Sequence, residues 1–135
     1  MFTKNFPGDS MKNFPTVMVI VAAHNESSLI KKCLQSLLSQ NYSRENYSIL
    51  VVDDASNDAT PQIVKSFTNV SLIQNKKNRG FATTNNIALK QCTCDYAILL
   101  NADSRVENNF IQQLVTPMES DASIAVCGGA EHPYT

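Results

Sequence analysis

The sequence predicts an α/β sandwich, a mostly parallel sheet flanked by helices. Three observations predict it. Five short apolar runs rich in β-branched residues recur along the chain, helix-patterned segments alternate with them, and polar turn-forming residues follow four of the runs. At 135 residues the chain has room for one domain with a sizeable core and little space for a second.

The strands are expected at residues 17–21, 49–52, 70–73, 96–100 and 124–127, each an apolar run suited to burial on both faces. Between the first two, Leu29, Ile30, Cys33, Leu34, Leu37 and Leu38 recur at three-to-four spacing, which is one apolar helical face. Between the second and third, Thr60 is expected as an N-cap with Pro61 at the first helical position, followed by Ile63, Val64 and Phe67 on one side. Helices over about residues 81–90 and 108–118 complete a βαβαβαβαβ order with right-handed crossovers. Ahead of the first strand, Lys-Asn-Phe-Pro occurs at residues 4–7 and again at 12–15. Residues 1–14 read as a flexible arm and 15–135 as the folded unit.

Composition excludes several classes. With 43% hydrophobic and 17% charged residues and a net charge of -1, the chain is neither disordered nor fibrous. Its 11 Lys and Arg are scattered against 12 acids, so the basic stripe of a nucleic-acid binder is missing. Cys33, Cys92, Cys94 and Cys127 form no C-x-x-C pair. Cys33 on a helical face and Cys127 ending an apolar strand read as buried thiols of a reducing cytosol, whereas Cys92 and Cys94 are unexplained. The apolar run before His24 is too short to span a membrane and lacks a cleavage site. A cytoplasmic location is therefore expected, compatible with a peripheral position at the inner face of a membrane. The Asn-x-Ser triplets at Asn25, Asn41, Asn46 and Asn69 are then coincidental.

Open parallel sheets bind ligands outside the carboxyl ends of their strands. Here those ends read Ala22-Ala23-His24-Asn25-Glu26, Asp53-Asp54-Ala55-Ser56, Asn78-Arg79-Gly80 and Asn101-Ala102-Asp103, with carboxylates at three of the four. There is no GxGxxG after the first strand and no GxxxxGK[ST] in a chain with only four glycines, which excludes the common dinucleotide and P-loop sites. A nucleotide held here needs another phosphate partner, and the simplest is a divalent cation, Mg²⁺ or Mn²⁺, on a strand-end carboxylate, with Asp103 the natural ligand.

The ordered set VMVIVAAHNE, VVDDASNDAT, NRGFATTNNIAL and ILLNADS resembles the family 2 glycosyltransferases, whose fold is the Rossmann-like GT-A sandwich. The resemblance covers about residues 16–130. It implies a donor-binding portion for a nucleotide-diphosphate sugar (UDP-, GDP- or dTDP-linked) and transfer to an acceptor hydroxyl of a glycan or lipid-linked acceptor. Inversion, metal dependence and a role in polysaccharide or cell-envelope biosynthesis follow from the same resemblance. By position, Ala22, Asn25 and Glu26 line the nucleotide pocket, Asp54 accepts a hydrogen bond from the base, and Asp53 buttresses that loop. Arg79 and Gly80 approach the base or phosphate, and Asn86 supports them. The NADS stretch matches a DxD motif whose first acid is Asn101, an uncharged acceptor for a ribose hydroxyl, so Asp103 carries the metal.

For Asp53, Asp58 and Glu26, capping or turn formation competes with ligand contact; His24 reads as a packing or loop residue, and His132 lies in a loose tail. The catalytic base is expected beyond Thr135, in an acceptor-binding half, so the chain is expected to be a truncated donor half that is inactive alone. Its uncovered sheet edge predicts self-association. Two other readings stand beside the enzyme: a noncatalytic nucleotide-binding or assembly module, which Asn101 favours, and a sugar nucleotidyltransferase, against which AAHNESS lacks a glycine-rich loop.

Overall fold

The computed structural model describes residues 14–129. Most of the expected arm, residues 1–13, and the tail with His132 lie outside the described residues. Phe14 is half exposed, its ring 5.7 Å from that of Tyr42 in an edge-on contact.

Four strands and four helices alternate: β1 Val17–Ala23, α1 Ile30–Leu38, β2 Tyr47–Asp53, α2 Thr60–Lys65, β3 Ser71–Gln74, α3 Phe81–Leu89, β4 Tyr96–Asn101 and α4 Phe110–Ser120. All pairings are parallel and the sheet order is β3-β2-β1-β4. The register aligns Ala23 with Asp53, Asp53 with Gln74, and Ala22 with Asn101, so the carboxyl ends finish together along one rim. Successive connections step outward from β1 to β3, and then β4 returns to the other side of β1. That reversal opens a crevice between the ends of β1 and β4, where such sheets bind ligands.

Strand alternation divides the core. Val17, Val19, Val21, Ile49, Val51 and Ile98 pack with Ile30, Leu34, Leu37, Val64, Ile111 and Val115 of α1, α2 and α4. On the other face Ile20, Leu50 and Val52 meet Ala88 of α3 in a much smaller cluster. One helix does not cover four strands, and on β4 the side chain of Leu99 remains 47% exposed.

Two expected details are corrected. Residues 124–127 form no strand, and Val126 is 87% exposed. An apolar run becomes a strand only where an edge accepts its backbone groups, whereas here Ser123 and Ile124 turn back onto Asp121. Cys127 is accordingly half-buried in irregular chain, while Cys33 is buried on α1. Thr60 is the first residue of α2 and not its cap: the backbone N–H and hydroxyl of Thr60 both donate to Asp58 Oδ1, so Asp58 opens that helix.

Candidate functional site

The segment after β2 is fastened to the segment after β1. Asn25 N donates to Ser56 Oγ at 2.8 Å, Asn57 N to Asn25 Oδ1 at 2.8 Å, Glu26 N to Thr60 Oγ1 at 2.9 Å and Ser27 N to Asp58 Oδ2 at 3.0 Å. These bonds satisfy backbone donors that no strand or helix uses. They also hold Asn25 and Ala55 in the left-handed region, at φ 55° and 58°.

The three aspartates of the β2 end serve separate tasks. Asp53 is 1% exposed; its Oδ2 receives Ser56 N at 3.3 Å, while its buried Oδ1 has no hydrogen-bond partner among the described residues. Asp54, 4% exposed, reaches the loop before α3: Arg79 N at 2.9 Å, Gly80 N at 2.9 Å and Asn75 Nδ2 at 2.8 Å all donate to its carboxylate. Burial pushes its pKa up, but these donors and the Thr84 hydroxyl outweigh it and hold the group below the usual carboxylate range. The Thr60 hydroxyl holds Asp58 well below that range.

His24 ties the three loops together. Its Nδ1 stands 2.7 Å from the Asp54 carbonyl oxygen, which only accepts, so Nδ1 carries a hydrogen. The Nε2 atom lies 3.1 Å from Asn25 Nδ2 and 3.5 Å from Asn78 Nδ2. Gly80, at φ 81°, turns the chain into α3 and lets its N–H approach Asp54.

These loops and the end of β4 enclose a crevice of about 260 Å³. It brings together Ala22, Glu26, Asp54, Gly80, Asn101 and Asp103 of the expected site residues. Asn25 and Asp53 are not in its lining: Asn25 clasps the segments after β1 and β2, and Asp53 is buried at the end of β2. Arg79 and Asn86 line a separate groove along the outer side of α3 with Thr83 and Lys90. Sequence reasoning passed over His24, Asn78 and Thr84 as crevice residues. The positions of His24 and Asn78 at strand ends were the available signal, whereas Thr84 lies inside a helix and carried none.

The crevice is electronegative at its β1–β4 side. Glu26 has its pKa raised, first by burial and then by the charges of Asp103 and Asp58. Among the described residues no three His, Cys, Asp or Glu side chains cluster as a metal cage. The oxygen donors present still fit Mg²⁺ or Mn²⁺, which take one or two protein carboxylates and complete their shell with phosphate and water. Asp103 is exposed at the crevice, with the Asn101 amide two residues earlier.

Residues 18–134 match the model of glycosyl transferase family 2. The chain belongs to that family. An uncharacterized glycosyltransferase of Haemophilus influenzae is 34% identical over 122 residues, 87% of this chain and 37% of the relative. Glycosyltransferase AglE of Haloferax volcanii is 27% identical over 89% of this chain and 41% of its own length. This family 2 chain thus spans about two-fifths of the length of these two relatives, and under half of other curated relatives it matches. Among solved structures, a mannosyltransferase of Pyrobaculum calidifontis in complex with GDP-Man and Mn²⁺ superimposes with a TM-score of 0.74 at 30% identity, over 77% of this chain and 32% of that one. Staphylococcus aureus TarS 1–349 with UDP-GlcNAc gives 0.75 at 24% identity, over 86% of this chain and 37% of that one, a likeness of fold. The α/β expectation, with its parallel sheet and GT-A relatives, is met.

Proposed function

We propose that this chain is the donor-binding portion of an inverting, metal-dependent glycosyltransferase that transfers a sugar from a nucleotide diphosphate to an acceptor hydroxyl. The observation that carries the reading is the crevice at the sheet's reversal point, where Asp54 fixes the Gly80 turn on one side and Glu26 and Asp103 stand on the other. The relative solved with GDP-Man and Mn²⁺ supports it, as does the 25% identity to a poly-beta-1,6-N-acetyl-D-glucosamine synthase of Staphylococcus aureus.

In the transfer an acceptor oxygen attacks the anomeric carbon, the bond from that carbon to the diphosphate breaks, and a general base takes the acceptor's proton. The residues here serve the leaving side. Ala22, Asn25 and Glu26 shape the nucleoside pocket, with Asp53 behind. Asp54 acts on the base directly or through the Arg79–Gly80 turn it holds, and Asn86 supports Arg79 from α3. Asn101 is an acceptor for a ribose hydroxyl, and Asp103 would hold the cation. A bound Mg²⁺ or Mn²⁺ supplies charge stabilisation of the departing diphosphate. The base belongs to an acceptor-binding portion beyond Thr135, in keeping with the greater length of the relatives.

Calorimetric titration with UDP and with GDP, in Mn²⁺ or EDTA, tests the assignment. The expected outcome is metal-enhanced binding of one nucleotide, with the enhancement abolished in Asp103→Ala and base preference altered in Asp54→Ala. A folded chain that binds none of UDP, GDP and dTDP refutes it. Metal-dependent binding without transfer by a longer parent chain favours the noncatalytic module, the reading that Asn101 in place of an acid supports. Among the described residues no helix is long and apolar enough to cross a membrane, and the reading places the enzyme in the cytoplasm or peripherally at the membrane's inner face, acting on a glycan or lipid-linked acceptor.

A further inference from the structure

We propose that Ser36 and Gln40, on and just beyond α1, are positioning residues for the loop after β4 that presents Asp103 to the donor. The inference rests on the donor-site reading above. Between β4 and α4 the chain is irregular, and beyond its own turns, Ser104 N to the Asn101 carbonyl and Phe110 N to the Glu107 carbonyl, its placement rests on neighbours. Four bonds from the α1 end set it. Val106 N donates to Ser36 Oγ at 3.2 Å, Gln40 Nε2 to the Glu107 carbonyl at 2.7 Å, Asn41 N to the Asn108 carbonyl at 2.6 Å, and Ile111 N to Gln40 Oε1 at 3.0 Å.

Both side chains are themselves fixed. The Ser36 hydroxyl donates to the Cys33 carbonyl at 2.7 Å, and Gln40 Nε2 also donates to the Ser36 carbonyl at 3.0 Å. Nor does α4 organise its own start: Asn109 makes no side-chain cap bond there, and the Ile111 donor is met by Gln40 instead.

The opposite end of α1 is joined to the other acid of the crevice. The Glu26 carbonyl accepts Leu29 N at 3.0 Å and Ile30 N at 2.9 Å. One short helix therefore ties Glu26 at its start to the Asp103 loop at its finish, so α1 sets how the two carboxylates face each other. Groups bonded directly to a metal ligand change metal affinity about ten- to hundred-fold when removed; Ser36 and Gln40 bond the chain three and more residues beyond Asp103, so their effect is expected at or below the low end of that range.

The test compares the full chain with Gln40→Ala, Gln40→Glu, Ser36→Ala and Ser36→Thr by titrating UDP and GDP in Mn²⁺ and in EDTA. The quantity read is the ratio of the two affinities. Gln40→Ala is expected to lower it several-fold, up to about ten-fold, while affinity in EDTA stays at the wild-type level. Gln40→Glu, which keeps the acceptor for Ile111 N but loses the donor, falls between. Ser36→Thr keeps the wild-type ratio and Ser36→Ala lowers it. If Gln40→Ala does not fold, the two Ser36 variants decide in the same way. Folded variants with an unchanged ratio, beside a wild type that binds with Mn²⁺, overturn this inference alone. A folded wild type that binds neither nucleotide, nor dTDP, overturns the donor site and this inference with it.

Discussion

Ala55 holds a left-handed φ of 58° because the two residues after it, Ser56 and Asn57, are clasped to Asn25. An L-residue with a Cβ is disfavoured there by about 1–2 kcal/mol, and glycine is not. Ala55→Gly should therefore stabilise the fold by about 1 kcal/mol, read as a higher urea midpoint at unchanged slope. The neighbouring carboxylates set the acid limb of stability. Asp54 and Asp58 both titrate below the ordinary carboxylate range in the fold, so their contribution is complete above the unfolded value of about 4 and is lost as pH falls from there through the folded values. Urea midpoints should thus change little from these two groups between pH 7 and 5 and drop below pH 4, with a shallower drop in Asp58→Asn. The sequence signalled that the oxygens of the DDASND stretch are used, since a strand end has no need of three acids. It did not reveal their division of labour, because the partners arrive from far along the chain: Arg79 lies 25 positions from Asp54, and Ser27 lies 31 from Asp58.

At the scale of elements, α3 depends on a residue outside it. Its first turn carries no acid, and Gly80 before it has no side chain to cap with; Asp54 meets the Gly80 and Arg79 donors instead. Asp54→Ala takes the charged acceptor from Arg79 N–H and leaves Gly80 N–H with Asn78 Oδ1 alone, and hydrogen bonds to a charged group contribute about 1.5–3 kcal/mol. Hydrogen exchange at Arg79 and Gly80 should accelerate well beyond that at β1 amides. Elements whose stability is internal were readable from local pattern, and β1, α1 and β2 lie where the periodicity put them. Elements decided by a neighbour were not. Residues 124–127 have a strand's composition but turn back onto Asp121 and pair with no strand, and Thr60, expected as a cap, lies inside α2 with its Oγ1 bonded to Glu26 N and Asp58. Nothing in the local pattern of Ser36 or Gln40 marks their contacts with residues 106–111, since those contacts exist only once β4 has been placed beside β1.

Over the whole molecule the two faces of the sheet are unequally covered. Three helices pack on one and α3 alone on the other, leaving Leu99 half exposed on β4, an outer strand of the sheet. Such a face invites association. Size-exclusion chromatography with light scattering should find a concentration-dependent dimer, and Leu99→Glu should return it to monomer without loss of helicity; a monomer at every concentration contradicts this. The placement of β4 also bears on how the chain acquires its structure. β2 and β3 join the growing sheet from adjacent sequence, but the pairing of Val17 with Tyr96 must close a loop of almost eighty residues, an entropic toll that grows with separation. Zipping of β1 to β4 is then the late event in folding. On a ribosome, β1 waits with one side open until β4 emerges, and the rim that accommodates Asp103 takes shape only then.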